Sequence, residues 1–182
     1  VTEVAVLSTG VIGVPLPMER ILKGADACMA GLSAANHGQA AEAIMTTDTV
    51  PKEMALEIPL STGPVRLGSM AKGSGMIAPN MATMNGVITT DAAVAPDDLR
   101  ALLKECVDRS FNCMCIDNDM STSDAVLCMA NGQAMSAPLK PGTEDFERFG
   151  EALDQLCVAM AQALVRDGEG ATKFVEINVA GA

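Results

Sequence analysis

The chain has 182 residues, 49% of them hydrophobic but only 2% aromatic, and a formal net charge of -11. This length suits one domain, whose core must be built from aliphatic residues and methionine because the sequence has no tryptophan or tyrosine. The acidic balance, with singly scattered basic residues, argues against nucleic acid as a partner. Without an apolar run of about 18 residues or a signal segment, no membrane association is expected, and we expect a cytoplasmic location.

The first part of the chain predicts a strand, two helices and a hairpin. Glu3–Leu7 is typical of a short apolar strand that ends at the turn Ser8–Gly10. Pro17 stands where the first turn of a helix is expected, before the helical spacing of MERILKGADACMAGL, and a second helix is expected at about 38–45. After the loop TTDTVPKE, the alternating segment MALEIPL predicts a strand that pairs with Arg66–Met70 across the turn STGP.

The second part predicts further alternation of strands and helices. Met84–Thr90 predicts a strand, and Asp97 or its neighbour is expected to cap a helix whose apolar positions recur every three to four residues. Cys113–Ile116 is strand-like, and the buried run Asp124–Ala130 is expected to be helical. A long helix is expected over about Thr143–Arg166, followed by the loop DGEG and a last strand, KFVEINV. Because several strands follow one another through short turns, this order favours an α/β fold with a mixed sheet.

No metal or nucleotide motif is recognisable. The six cysteines contain no CxxC pair and the chain has one histidine, so the cysteines are interpreted as small buried side chains in a reducing compartment. Residues 117–124, DNDMSTSD, lack the glycine and terminal glutamate of a calcium loop, and we expect them to cap a helix near Thr122. Neither GxGxxG nor GxxxxGK[ST] is present. We therefore expect no metal and no nucleotide cofactor.

The stretch KGSGMIAPNMATMNGVITTD, residues 72–91, places a hydroxyl where a glycine-rich loop meets a strand. With one histidine in the chain, activation of a hydroxyl by imidazole has little support. An N-terminal threonine can instead use its own α-amine, with a pKa of about 7.7–8.0, as the base. That requires a cut chain, and the Thr83 hydroxyl could attack the Ala82 carbonyl to give an ester that water resolves. Alone, these residues also fit an ordinary threonine at a strand edge.

Five ordered motifs resemble one enzyme family across essentially the whole chain. They are VLSTGVIGVPLPME, AIMTTDT, KGSGMIAPNMATM, SFNCMCIDNDMSTSD and DGEGATK. Together they closely resemble the bifunctional ornithine acetyltransferase/N-acetylglutamate synthase family of arginine biosynthesis. The resemblance implies a mixed-sheet α/β layered sandwich of the self-cleaving, N-terminal-nucleophile-like type, and a chain that is an internal part of a longer protein, truncated at both ends. A paralogue linked to clavulanic acid biosynthesis shares the motifs, so the pathway stays open.

The resemblance implies that the chain cleaves itself between Ala82 and Thr83. Residues 1–82 would be the C-terminal part of an α chain and residues 83–182 the N-terminal part of a β chain, together forming one catalytic domain. As a glutamate N-acetyltransferase, the protein would move the acetyl group of N-acetylornithine to Thr83 and then to glutamate in a ping-pong cycle. Members that also accept acetyl-CoA are amino-acid N-acetyltransferases as well. The α and β chains are expected to associate as a heterotetramer of two α and two β chains.

The resemblance also implies which residues surround the reacting hydroxyl. The oxyanion donors would be Thr9 and Gly10. The residues that bind substrate would be Thr46, Lys72, Thr83 and Glu169. Lys72 suits a substrate carboxylate and Glu169 suits the amine of ornithine, although without the resemblance both would be interpreted as solvated surface charges. No cofactor is implied, with acetyl-CoA entering only as a substrate.

Two departures from the family pattern and two other functions stay open at this point. Asn85 stands where members usually have an apolar residue, and Met120 stands where a threonine is common. An N-terminal-nucleophile amide hydrolase would use water in place of glutamate as the acceptor. An uncleaved, inactive chain with only a structural role would show no products separated at Ala82–Thr83.

Overall fold

The computed structural model describes residues 4–78, 81–82 and 84–181. Its helices and strands are α1 (Met18–Ala30), α2 (His37–Ala43), β1 (Lys52–Leu60), β2 (Gly63–Lys72), β3 (Ile77–Ala78), β4 (Met81–Ala82), β5 (Asn85–Thr90), α3 (Pro96–Arg109), β6 (Ala125–Ala130) and α4 (Glu144–Arg166). Short 3-10 helices lie at Ala34–Asn36 and Phe111–Cys113. Four strands form one sheet in the order β1-β2-β5-β6, while β3 and β4 form a separate two-stranded ribbon.

The hairpin expected from the alternating segments is confirmed. β1 and β2 are antiparallel, and Leu60 faces Gly63 across the tight turn that joins them. Gly63 has a φ of 123°, a conformation that side chains other than glycine rarely adopt. β2 then pairs antiparallel with β5, the strand expected near residues 84–90, and this register sets Lys72 opposite Asn85. The end of β2 and the start of β5 therefore lie side by side.

The prediction of a helix over Asp124–Ala130 is wrong. Ala125–Ala130 is strand β6, which runs parallel to β5 with Ala125 opposite Asn85. A run of six apolar residues is too short for periodicity to separate a buried strand from a helix. The expected helix start near Thr122 is wrong for the same reason. Because α3 connects two parallel strands while the other pairs are antiparallel, the sheet is mixed, and the predicted α/β fold with a mixed sheet is confirmed.

Helices α3 and α4 cover one face of the sheet. The long helix α4 is confirmed, and its first turn is capped by Thr143, whose hydroxyl accepts a hydrogen bond from the Phe146 N–H. On its inner face Phe149 and Leu153 are fully buried and join Leu67 of β2 in one core. Burial of each such side chain contributes about 1.5–3 kcal/mol, so this packing anchors α4 against the sheet.

The two early helices are also as predicted, and α1 begins directly after Pro17. The strand expected at Glu3–Leu7 is wrong for Val4–Leu7, which has no regular secondary structure, and Glu3 lies outside the described residues. The expected cap of α3 is wrong as well. The residue before α3 is Ala95, and Asp97 lies within the first turn, because proline at the first helical position already supplies a suitable φ without needing an N–H partner.

Two other predicted strands are absent from the described part of the chain. Cys113–Ile116 continues a 3-10 helix into an irregular segment, although Ile116 donates one hydrogen bond to the Ile77 carbonyl, at 2.9 Å. Residues 173–179 are irregular and largely exposed. Apolar alternation alone did not form a strand in either segment because, in the described chain, no neighbouring strand pairs with it.

The interpretation of all the cysteines as buried is also wrong. Cys106 and Cys157 are buried in the core, whereas Cys28, Cys113 and Cys115 are exposed, the last two in the irregular region after α3. Among the described residues, no group of three or more histidine, cysteine or acidic side chains could hold a metal ion. Within the same ranges, none of the helices combines the length and apolar character needed to cross a bilayer.

Candidate active site

The turn after β2 is where three distant parts of the chain meet. Gly73, with a φ of 148°, donates its N–H to Oδ1 of Asp48 at 2.7 Å. The hydroxyls of Thr47 and Ser74 lie 3.0 Å apart, and the Ser74 carbonyl accepts the N–H of Glu169 at 2.5 Å. The loop before β1, the end of β2 and the loop after α4 are thus held together by hydrogen bonds.

Three residues expected to bind substrate lie around this turn. Thr46 is exposed, and its N–H donates to Oδ2 of Asp48 at 3.1 Å. Lys72 is the last residue of β2 and is only 1% exposed. The side chain of Glu169 lies against Gly75, where a Cβ atom would be 2.7 Å from its Oε2 atom. The structure therefore brings the segments of Thr46, Lys72 and Glu169 to one place.

Lys72 is buried, in contrast to the surface position that its sequence context alone suggests. Burial lowers the pKa of its ammonium group, and the carboxylates of Asp48 and Asp124 partly oppose this effect. In the part of the chain that the structure describes, Lys72 is not in any of the close ion pairs. A buried cation of this kind can accept an anionic ligand such as a carboxylate.

Asp124 contacts the backbone beside the expected cleavage position. Its Oδ1 atom accepts the N–H of Met84 at 2.9 Å, and Met84 directly follows Thr83 in the sequence. Its Oδ2 atom is buried and has no hydrogen-bond partner among the residues that the structure describes. Burial raises the pKa of Asp124 to about 6, although the Met84 N–H and the charge of Lys72 act in the opposite direction.

Asp124→Asn is expected to remove one component of the pH dependence of stability. Asp124 ordinarily has a pKa of 3.8 but keeps its proton up to about 6 when folded, so the folded protein binds more protons in this interval. The free energy of unfolding therefore falls as the pH rises from about 4 to about 6. Asparagine can still accept the Met84 N–H but does not titrate. The Tm of the variant minus that of the parent should increase over this interval, and a constant difference would contradict the assigned ionisation.

Asn85, a departure from the family pattern, connects the turn at Thr9 to β5. Its side chain is mostly buried, and the surrounding donors and acceptors assign the orientation of its amide, in which the nitrogen donates to the carbonyls of Ser123 and Met84 at 3.1 and 3.2 Å. In this orientation its amide oxygen accepts the hydroxyl of Thr9 at 3.2 Å. An apolar side chain at this position could not make these bonds. Asn85 thereby holds Thr9, and with it Gly10, near the level of Lys72 in the sheet.

Asp117 organises the loop between the turn and the ribbon of β3 and β4. Its carboxylate accepts the N–H groups of Met76 at 2.6 Å, Ile77 at 2.9 Å and Asp119 at 3.1 Å. Burial would raise the pKa of Asp117, but these hydrogen bonds outweigh it and hold that pKa below its usual value. The backbone of Ala82 then pairs with Ile77. Asp117 thus has a structural role. The second departure from the family pattern, at position 120, concerns an exposed side chain.

The expected nucleophile, Thr83, lies outside the described residues. The backbone of Ala82 in β4 and the residue Met84 before β5 are described on either side of it. Ala82 belongs to the ribbon, and Met84 is held by Asp124. In the chain, the Ala82–Thr83 bond therefore lies between the end of β4 and Met84, the residue before β5.

A buried ion cluster that sequence reasoning missed lies beside the turn. Lys52 Nζ contacts Asp48 Oδ1 at 2.6 Å and Asp167 Oδ2 at 2.5 Å, and all three side chains are at most 6% exposed. Asp167 also accepts the N–H of Thr49 at 3.0 Å and its hydroxyl. Burial would raise the pKa of both carboxyl groups, but Lys52 and the other donors lower it. Only the Asp48–Lys52 spacing offered a sequence signal, because Asp167 is 115 residues from Lys52.

The motifs predicted an α/β fold of the ornithine acetyltransferase type. The structure has such a fold with a mixed sheet, and its glycine-rich turn lies beside a buried lysine and a carboxylate. A profile of the ArgJ family matches residues 1–182. The chain therefore belongs to the ArgJ family, and the resemblance carried by the five motifs is confirmed.

Individual relatives show the same similarity. The arginine biosynthesis bifunctional protein ArgJ of Symbiobacterium thermophilum is 52% identical over 177 residues, which are 97% of this chain and 44% of that protein. The protein of the same name from Geobacter sulfurreducens is 49% identical over 180 residues, 99% of this chain and 46% of that protein. A crystal structure of the Bacillus halodurans protein of this name is 39% identical and covers 47% of this chain and 39% of that one, with a TM-score of 0.45. The chain spans about half the length of the curated relatives it matches.

Proposed function

We propose that this chain forms the catalytic domain of a glutamate N-acetyltransferase of arginine biosynthesis. The convergence of Thr46, Lys72 and Glu169 around the turn after β2 supports the proposal most strongly. A buried cation and an exposed carboxylate match an amino-acid substrate, which carries both a carboxylate and an amine. Membership of the ArgJ family and the names of its bifunctional relatives point to the same activity.

The first step of the proposed mechanism is self-cleavage. The Thr83 hydroxyl attacks the carbonyl carbon of Ala82, the peptide C–N bond breaks, and the acyl group moves to the threonine oxygen as an ester. Breaking the C–N bond frees the α-amine of Thr83, which takes up the proton of the hydroxyl, and water then hydrolyses the ester and frees the hydroxyl. Residues 1–82 and 83–182 then belong to an α and a β chain that together form the domain.

The free α-amine of Thr83 serves as the base for acetyl transfer, because such an amine is partly neutral near pH 7. The hydroxyl attacks the acetyl carbonyl of N-acetylornithine while the amine takes its proton. Thr9 and Gly10 donate hydrogen bonds to the oxyanion, and loss of one such donor typically costs about 2.7–4 kcal/mol. The proton passes to the leaving amine, ornithine departs, and the amine of glutamate then attacks acetyl-Thr83 to give N-acetylglutamate.

The assignment of the binding residues follows their charge and burial. Lys72 would bind the carboxylate of glutamate, and Glu169 would bind the side-chain amine of ornithine. The hydrogen bond from the Thr9 hydroxyl to Asn85 supports the placement of the oxyanion donors near the start of β5. No cofactor takes part, acetyl-CoA is a second acetyl donor, and the cleaved chains assemble as two α and two β chains.

Mass spectrometry and an acetyl-transfer assay on the complete gene product test this proposal. We expect two polypeptides separated at Ala82–Thr83, and release of ornithine from N-acetylornithine that depends on glutamate. Release that is independent of glutamate would indicate an amide hydrolase. A single polypeptide that never separates would show that the chain is not a self-cleaving transferase.

Gly75→Ala is expected to weaken binding of N-acetylornithine. The added Cβ would lie 2.7 Å from Glu169 Oε2, so the carboxylate must move away from its present position. Misplacement by about 1 Å can cost up to about 10²-fold, and because this side chain is flexible we expect a rise in KM of roughly tenfold. Steady-state kinetics check this, with Gly24→Ala as the control because a Cβ there meets nothing within 4 Å. An unchanged KM would argue against the role of Glu169.

A further inference from the structure

The buried cluster of Asp48, Lys52 and Asp167 joins the segments that carry the substrate-binding residues. Asp48 accepts the N–H groups of Thr46, at 3.1 Å, and of Gly73, at 2.7 Å. Gly73 directly follows Lys72. Asp167 directly follows α4 and precedes Glu169 by two residues. One carboxylate of the cluster is therefore fixed to the Thr46 and Lys72 segments, and the other belongs to the Glu169 segment.

Lys52 is the group that holds these two carboxylates together. Its ammonium lies 2.6 Å from Asp48 and 2.5 Å from Asp167, and its side chain is 2% exposed. Charge-assisted hydrogen bonds of this length are the strong ones in proteins, and two buried carboxylates without a cation between them would repel each other. The position of Lys52 therefore sets the distance between the two segments.

The strand register assigns the side chains of Lys52 and Lys72 to opposite faces of the sheet. Lys52 is opposite Ala71 in the pairing of β1 with β2, and successive side chains of a strand point to opposite faces. Lys72, the next residue, therefore points away from the face that carries Lys52. We therefore expect Lys52 to act on a substrate at Lys72 through the residues that it positions, among them Asp48, whose charge also acts on Lys72.

We propose that Lys52 is a positioning residue of the substrate pocket. By binding Asp48 and Asp167 with one ammonium group, it holds Thr46 and Lys72 at a fixed distance from Glu169. This role rests on the proposed function, in which these residues bind N-acetylornithine and glutamate. It does not extend to self-cleavage, which uses the Thr83 hydroxyl and the Ala82 carbonyl.

Lys52→Met in the complete gene product tests the role by kinetics. We expect the KM for glutamate and for N-acetylornithine to rise by about tenfold or more, while the rate of self-cleavage changes by less than about threefold. Lys52→Arg keeps the charge and should restore most of the affinity. Lys104→Met is the matched control, because Lys104 pairs with Asp108 at the surface of α3. A KM within twofold of the parent in folded Lys52→Met would overturn the proposal.

Amide hydrogen exchange separates this role from a general loss of stability. In Lys52→Met, exchange should increase together in segments 46–49, 72–75 and 167–170, with little change in β6. A uniform increase that includes β6 would overturn the proposal. If Lys52→Met does not fold, Asp167→Asn is the alternative variant, because it keeps the Asp48–Lys52 pair. It should raise KM and increase exchange at 167–170 in the same way. An unchanged KM in Asp167→Asn would overturn the proposal. If the parent lacks glutamate-dependent transfer, the proposed function fails while the exchange measurement still decides whether Lys52 couples the segments.

Discussion

Thr83→Ala is expected to leave the chain uncleaved and to reduce acetyl transfer to background. The variant has no hydroxyl to attack the Ala82 carbonyl, so no ester forms and no α-amine is released. Without nucleophile or base, the transfer rate should fall by more than about 10⁴-fold, as in other hydrolases and transferases that lose the attacking group. Mass spectrometry reports the cleavage, and the release of ornithine in the presence of glutamate reports the transfer.

Two further variants show whether these losses come from the Thr83 hydroxyl. Thr83→Ser keeps a hydroxyl and should cleave and transfer at a reduced rate. Thr89→Ala removes an exposed hydroxyl of β5, 3.5 Å from the Gly68 carbonyl, and should behave like the parent. Acetyl transfer by a Thr83→Ala protein at a rate near that of the parent would rule out acetyl-Thr83 as the intermediate.

Lys72→Met is expected to weaken glutamate binding far more than it slows self-cleavage. The substitution keeps the length of a side chain that is 1% exposed but removes the cation that would face the substrate carboxylate. Loss of one partner of a buried charged pair costs about 2–5 kcal/mol, so the KM for glutamate should rise by at least about 30-fold. Steady-state kinetics at varied glutamate concentration, beside the time course of cleavage, measure the two effects.

The control for Lys72→Met is Lys140→Met, which removes an exposed lysine outside the site and should leave both measurements unchanged. A second comparison measures the KM of Lys72→Met for the acetyl donor, N-acetylornithine, because the amine of ornithine is assigned to Glu169 and not to Lys72. Slower cleavage, with an unchanged KM for glutamate in the cleaved protein, would assign Lys72 to the maturation step, and the proposed contact with the acceptor carboxylate would then be wrong.

The parts of the fold that local patterns specify could be predicted from the sequence. The β1–β2 hairpin follows from alternation across a turn with glycine, and α4 follows from a threonine cap and a long apolar periodicity. β6 could not be predicted in this way. Its six apolar residues form a strand because β5 offers a parallel partner, and each paired residue is 40 positions away in the chain.

The candidate site, too, could be predicted from the sequence only in part. Thr9, Lys72 and Glu169 were indicated by motifs, but the burial of Lys72 follows from the packing of sheet and loops that no local pattern reports. The cluster around Lys52 was missed because its members come from a loop, a strand and the end of a distant helix. In the sequence, Asn85 could be recognised only as a departure from the family pattern. Its hydrogen bond to Thr9 depends on the contact in space between the turn at Thr9 and β5.

The pairing of β2 with β5 has a consequence for the two products of the proposed cleavage. Six residue pairs of this ladder, from Leu67 opposite Thr90 to Lys72 opposite Asn85, join a strand before the cut to a strand after it. The contact of Lys52 with Asp167 crosses the same division. The central ladder of the sheet would become the interface between two polypeptides, so that separating them requires unfolding the domain. Maturation would change the covalent connectivity of the protein while leaving it a single cooperative unit.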